Sequence, residues 1–135
     1  MGMGNAEFFA YDSESVIRPS AARDALDLVA DKWTPLVIYL LAGGRQRYSQ
    51  LKRRLGGISQ KMLTQTLRKL EAAECVTRTV QPTVPVTVEY ELTPLGRTLV
   101  EPLVGLMRWA HDHAGECGFV DEPAADVAGI AAVRA

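Results

Sequence analysis

The stretch YSQLKRRLGGISQKMLTQTLRKL, Tyr48 to Leu70, decides how this chain folds. Its apolar positions recur at helical spacing in two blocks, separated by Gly56-Gly57. Leu51 and Leu55 stand one turn apart in the first block, and Leu63, Leu67 and Leu70 follow i, i+4 and i+7 in the second. That spacing gives each block one buried face. Ser49 and Ser59 stand where a hydroxyl can cap a helix by accepting from a free N–H of the first turn. The glycine pair lets the chain leave one helix and change direction. Gln60, Lys61, Thr64, Gln65 and Arg68 share the opposite face of the second helix, and none is acidic. All five can hydrogen-bond to base edges or phosphates. The layout predicts a helix-turn-helix whose second helix is shaped for a DNA major groove.

Charge points the same way. From Lys32 to Leu70 there are nine basic residues and no acidic one, while the other six basic residues share the rest of the chain with all sixteen acidic ones. The formal net charge of −1 therefore conceals a block of +9 flanked by segments totalling −10. A short run of Lys and Arg is usually just a solvated helix face. Thirty-nine residues with no counter-charge, in a chain richer in acids than bases, call for a polyanionic partner.

On the N-terminal side, Ala22, Ala25, Leu26 and Val29 form one stripe and predict a helix over Ser20–Ala30. Thr34-Pro35 then reads as N-cap and N1 of a second helix. Leu36 to Leu41 is apolar nearly all round, so this helix is expected to be the buried spine, ended by Gly43-Gly44. Arg45 and Arg47 follow in the loop, within reach of a phosphate backbone. The first nineteen residues read as an arm, in which Phe8, Phe9 and Tyr11 suggest docking onto a partner subunit.

On the C-terminal side the period changes to two. Val76, Arg78 and Val80 alternate with polar residues, as do Val86, Val88, Tyr90 and Leu92, around the tip Pro82-Thr83-Val84-Pro85. This predicts a two-stranded hairpin, a wing beside the recognition helix. Glu89 and Glu91 would repel phosphate and are expected to face away from DNA, leaving Arg78 as the nearer contact. Thr93-Pro94 opens a long helix to His113, kinked at Pro102. Leu95, Leu99, Leu103 and Leu106 line one stripe, and Val100, Val104 and Met107 a neighbouring one. An apolar arc this wide, with Trp109 beside it, predicts packing against a second copy.

The fold expected is α+β and mainly α: a winged helix-turn-helix with N-terminal and long C-terminal dimerisation helices. The segments are an arm at 1–19, the DNA-binding and dimerisation domain at 20–117, and an Ala/Gly-rich, disordered tail at 118–135. The residues expected to touch DNA are Arg45 and Arg47 from the loop, and Ser49 and Arg53 from the first helix. Ser59, Gln60, Lys61, Thr64, Gln65 and Arg68 come from the second helix, and Arg78 from the wing. The partners implied are double-stranded DNA and a second copy of the chain.

Other classes find little support. No apolar run approaches the ~20 residues of a membrane span, and the N-terminus lacks a signal-peptide pattern, so a cytoplasmic protein is expected. Two cysteines, Cys75 and Cys117, are forty-two positions apart and suit a reducing compartment. His111, His113 and Cys117 could supply three zinc ligands, but positions 111 and 113 of a helix point about 200° apart. No cofactor, metal site or catalytic constellation is expected. The remaining alternative is a winged helix used for protein contact, or for small-molecule binding without operator recognition; the basic block weighs against both.

Three segments carry a family resemblance: ALDLVADKWT at Ala25–Thr34, YSQLKRRLGGISQKMLTQTLRKLE at Tyr48–Glu71, and VPVTVEYELTPLGRTL at Val84–Leu99. Together they closely resemble the HxlR family of bacterial winged-helix transcriptional regulators, related to the MarR group, over roughly residues 20–114. The resemblance implies a homodimer that places two recognition helices and two wings on a pseudo-palindromic operator. It also implies control of neighbouring genes, often for oxidoreductases, in response to electrophiles, aldehydes, oxidants or aromatic compounds. The family pattern often has a cysteine just before the ALDL helix, a sensor in some members. Here the matching residue is Ser20, which removes thiol sensing at that site. A non-covalent effector, small and aromatic or electrophilic, becomes the leading expectation, with Trp33, Tyr39 and Trp109 as candidate walls of an apolar cavity between subunits.

Overall fold

The structure, a computed structural model, describes residues 17–120. The chain divides into two compact units, Met1–Asp31 and Lys32–Ala135. The aromatic arm with Phe8, Phe9 and Tyr11, and the tail beyond Val120, lie outside the described residues.

The first unit contributes helix α1, Ala21–Val29, capped by Ser20, whose Oγ accepts from the Arg23 N–H at 3.2 Å. None of the residues of α1 is buried.

The second unit begins with α2, Trp33–Leu41. The helix starts one residue before the expected Thr34 cap, and Thr34 is instead a fully buried core residue. Val37, Ile38 and Leu41 are fully buried, so α2 is the spine that its composition suggests. A two-residue strand β1, Gln46–Arg47, leads into α3, Tyr48–Leu55. Arg47 is the N-cap residue of α3, and its N–H donates to Gln50 Oε1 at 2.8 Å. Ser49 therefore lies inside the first turn and is not the cap.

Gly56 and Gly57 carry φ of 43° and 83°, the left-handed region in which a side chain is strained. They turn the chain into α4, Gln60–Ala72, which Ser59 caps by accepting from Met62 N–H at 3.0 Å. Leu63, Leu67 and Leu70 of α4 are buried, as are Leu51 of α3 and Ile58 of the turn. The helix ends in a Schellman turn: the Cys75 N–H donates to Leu70 O at 2.9 Å and the Glu74 N–H to Glu71 O at 3.0 Å. Glu74 takes the left-handed position, φ 62°, that glycine usually fills.

Strands β2, Val76–Gln81, and β3, Thr87–Leu92, form the hairpin with Val76 opposite Leu92 and Gln81 opposite Thr87. The sheet has a third member, because β1 pairs with the outer edge of β3, giving the antiparallel order β1-β3-β2. Two residues are too few for a periodic signal, which is why β1 escapes a reading of the sequence.

The C-terminal helix is not continuous. A short α5, Pro94–Arg97, is followed by α6, Val100–Asp112, and α7, Ala114–Cys117. The break falls at Thr98-Leu99, four residues ahead of Pro102, and no kink is needed at the proline. A proline ring collides with the carbonyl four residues earlier. Restarting the helix at Val100 puts Pro102 in a first turn, where a missing N–H costs nothing.

Thr93 bolts this region to the end of α4. Its Oγ1 donates to Glu74 O at 2.7 Å and accepts from Gly96 N–H at 3.0 Å, and its N–H donates to Cys75 O at 3.0 Å. Gly96 must be glycine, because a Cβ there would lie 2.0 Å from Cys75 O.

Candidate nucleic-acid interface

Helix α4 presents Gln60, Lys61, Gln65 and Arg68 to solvent, with Thr64 partly covered. Beside it lies the wing, and the two enclose an open cleft of about 660 Å³. Its lining includes Arg47, Ser49, Gln60, Thr64, Arg68 and Arg78, six of the eleven residues expected at DNA. Three guanidinium groups thus reach one concavity from β1, α4 and β2. Glu71 joins them at the far end of the helix, just past the acid-free block. Arg53 lines a neighbouring depression of about 440 Å³ with Ser49, Lys52 and Gln60.

The wing separates its charges by strand alternation. Arg78 is registered with Tyr90, whereas Thr79 and Thr77 are registered with Glu89 and Glu91. Directly paired residues share a face, so the two acids lie on the face opposite Arg78. Both are held by Arg45, whose guanidinium lies 3.4 Å from Glu89 Oε2 and 3.5 Å from Glu91 Oε1. The structure therefore groups Arg45 with carboxylates, apart from the cleft that Arg47 lines.

Tyr48 is a residue that sequence reasoning missed. Its hydroxyl stands 3.2 Å from Gln60 O and 3.2 Å from Thr64 Oγ1. It pins the start of α3 to the first turn of α4. The Thr64 hydroxyl is engaged by this contact and acts in placing the helix. The only available signal was a tyrosine opening α3 ahead of a threonine on the exposed arc.

The three aromatics expected to wall a cavity between subunits have different neighbours within one subunit. Tyr39 lines a groove of about 710 Å³ with Arg97, Val100, Glu101, Val104, Arg108 and His111. Trp33 lies under Lys32 Nζ, 4.7 Å from its ring centroid. Trp109 stacks on His113 with centroids 5.3 Å apart. Neither tryptophan lines the groove. Cys75 is buried, and burial pushes its thiol above the ordinary value, whereas Cys117 is exposed.

The family model described as HxlR-like helix-turn-helix matches residues 28–117. The chain belongs to the HxlR family. Its relatives include the HTH-type transcriptional regulator YtfH of Escherichia coli (strain K12), 41% identical over 88 residues, which span 65% of this chain and 70% of that protein. Among solved structures, the regulator ytfH from Salmonella typhimurium superposes with a TM-score of 0.66 at 36% identity, covering 72% of this chain and 87% of that one. The redox regulator HypR in its oxidized form gives 0.63 at 37% identity, covering 67% and 93%. The winged helix-turn-helix fold and the family agree with the reading of the sequence, and this HxlR-family chain is thereby a DNA-binding transcriptional regulator. No helix among the described residues is long and apolar enough to cross a membrane.

Proposed function

We propose that this HxlR-family chain is a cytoplasmic, ligand-responsive repressor, without catalytic activity, that acts as a homodimer on a pseudo-palindromic operator. The observation that carries the reading is the cleft in which Arg47, Arg68 and Arg78 converge beside the exposed face of α4. Gln60, Lys61 and Gln65 would read base edges, while Arg47, Arg53, Arg68 and Arg78 would hold phosphates. The Ser49 and Ser59 hydroxyls would join them, with the free N–H groups at the starts of α3 and α4. Arg45, half-exposed beside Glu89 and Glu91, would act as a strut that neutralises them as well as standing near the phosphates.

The dimer is supported by apolar surface left open on the C-terminal helices. Leu95 is 54% exposed, Leu106 62% and Trp109 48%. One recognition helix reads only a few base pairs, so two copies about one helical turn apart, ~34 Å, supply the specificity. Ser20 is occupied as a helix cap and Cys75 as a buried thiol, which favours a non-covalent effector over thiol chemistry at either position.

The test is a footprint of the purified protein on the DNA upstream of its own gene, followed by a salt titration. Three to five phosphate contacts per subunit give a slope of log K against log salt of about −5 to −9. A slope near zero sinks the DNA-binding reading.

A further inference from the structure

The tip of the wing differs in chemistry from the surface beside it. From Val80 to Val88 the sequence carries no charged residue, the nearest being Arg78 on one side and Glu89 on the other. The hairpin closes at Gln81 and Thr87, and Val84 is the middle residue of the loop between them. Val84 is fully exposed, and Val80 and Val86 also stand open to solvent. The tip is poor in hydrogen-bond donors as well. Pro82 and Pro85 have no N–H, and the Thr83 N–H donates to Gln81 O at 2.8 Å. Thr83 Oγ1 donates to Pro85 O at 2.8 Å and stands 3.3 Å from Thr87 Oγ1. Such a tip has no charge and few free donors with which to hold a phosphate.

Its position nevertheless continues the DNA interface. Val86, Thr87 and Val88 line the same cleft as Arg47, Arg68 and Arg78. Three arginines around one cleft suit a phosphate strand lying along it. With α4 in the major groove on one side of that strand, the wing on the other side faces the minor groove. That groove is about 6 Å wide, enough for the side chains of a loop tip. We propose that Val84 and Pro85 enter it as an uncharged wedge, packing on the sugar walls and levering open one base step. Apolar side chains inserted in this way unstack a step and kink the duplex by roughly 20–90°. Pyrimidine–purine steps, TA and CA/TG, open most readily. The wing thereby selects operators for deformability, at a position that it does not read by hydrogen bonds. Pro82 and Pro85 fix φ at two positions of the loop, which limits the order lost on insertion.

A second copy of the chain is a poorer occupant of the tip. The pairing runs from Val76–Leu92 to Gln81–Thr87. At 3.4 Å per residue the hairpin is roughly 17 Å long between those pairs. That length holds the tip away from the end at which Thr93 joins the wing to α5.

The proposal rests on the DNA-binding reading of α4 and the wing, and its test separates the two. Selection by the full-length protein from a random-sequence duplex pool should recover operators with a TA or CA/TG step outside each α4 contact. Energy transfer between dyes on the two ends of such a duplex should report a bend of about 20° or more. Val84→Ser should weaken binding to this operator by about tenfold or more, the weight of burying a valine side chain. It should also reduce the bend and leave the slope of log K against log salt unchanged, whereas Arg78→Gln should lower that slope by about 1 for each subunit bound. Replacing the flexible step by a stiff A-tract step should cost the wild type more than it costs Val84→Ser. The Val84 side chain is fully exposed, so the substitution leaves the fold intact. An unbent operator overturns the wedge, as do equal losses from Val84→Ser on flexible and stiff operators. Unchanged affinity in Val84→Ser overturns it too, and assigns the tip to a protein partner. A wild-type protein that selects no sequence overturns the DNA-binding reading together with the wedge.

Discussion

The helix-turn-helix with its wing and the C-terminal helices are built from similar apolar content and end in opposite states. In the first region Leu51, Leu63, Leu67 and Leu70 are all buried, and the exposed face of α4 is largely polar and basic, with Met62 and the wing's Val80, Val84 and Val86 as its exposed apolar side chains. In the second only Leu103 of the leucine stripe is buried, at 7% exposure, while Leu95 and Leu106 stand open. One region completes its core within a single copy of the chain. The other leaves apolar area in water, at about 25 cal/mol per Å² relative to burial, and a second copy can cover it. The two regions meet at the Thr93 bolt, which ties the start of α5 to the end of the recognition helix.

The bolt is where this division breaks most readily. Gly96→Ala forces a Cβ against the Cys75 carbonyl, a clash with backbone that no rotamer relieves. The expected loss is about 3 kcal/mol or more, read by chemical denaturation. An unchanged midpoint would show that α5 can move away freely.

Leu106→Glu tests whether the open stripe is the dimer surface. Light scattering should report a monomer with unchanged helical content, and operator affinity should fall on the order of 100-fold or more through lost bivalency. Leu103 is a poor probe of the same question, since its side chain belongs to the core of the subunit. Leu103→Ala should instead destabilise each subunit by roughly 2–5 kcal/mol. A dimer that survives Leu106→Glu would place the interface elsewhere.

On the recognition helix, Gln65→Ala should weaken operator binding by ~1–3 kcal/mol and leave random DNA nearly unaffected. Equal losses on both would reduce Gln65 to a backbone contact. The smallest effect is expected from Tyr48→Phe, which removes one hydroxyl from Gln60 O and Thr64 Oγ1. Operator affinity should drop by about 0.5–1.5 kcal/mol while thermal stability changes little. No change in a quantitative gel shift would show that α4 is held by packing alone.

The exposed polar face of the recognition helix was legible in the sequence, and the reason is locality. Gln60, Lys61, Gln65 and Arg68 lie on one helix, so their common face follows from 3.6-residue periodicity alone. Arg45 and Arg47, two positions apart, could not be told apart this way. The structure gives them different neighbours, Arg47 lining the cleft and Arg45 standing beside Glu89 and Glu91. Tyr48 and Thr64 are sixteen positions apart, and no local pattern links them.

The sequence by itself determined the helix-turn-helix, the hairpin, the basic block and the family, because each depends on spacing between near neighbours. Tertiary structure alone decided which leucine of the C-terminal stripe enters the core, where the helix breaks before Pro102, and which aromatics meet. Those outcomes depend on what stands across the gap, and a residue's partner across space is not encoded in its neighbours along the chain.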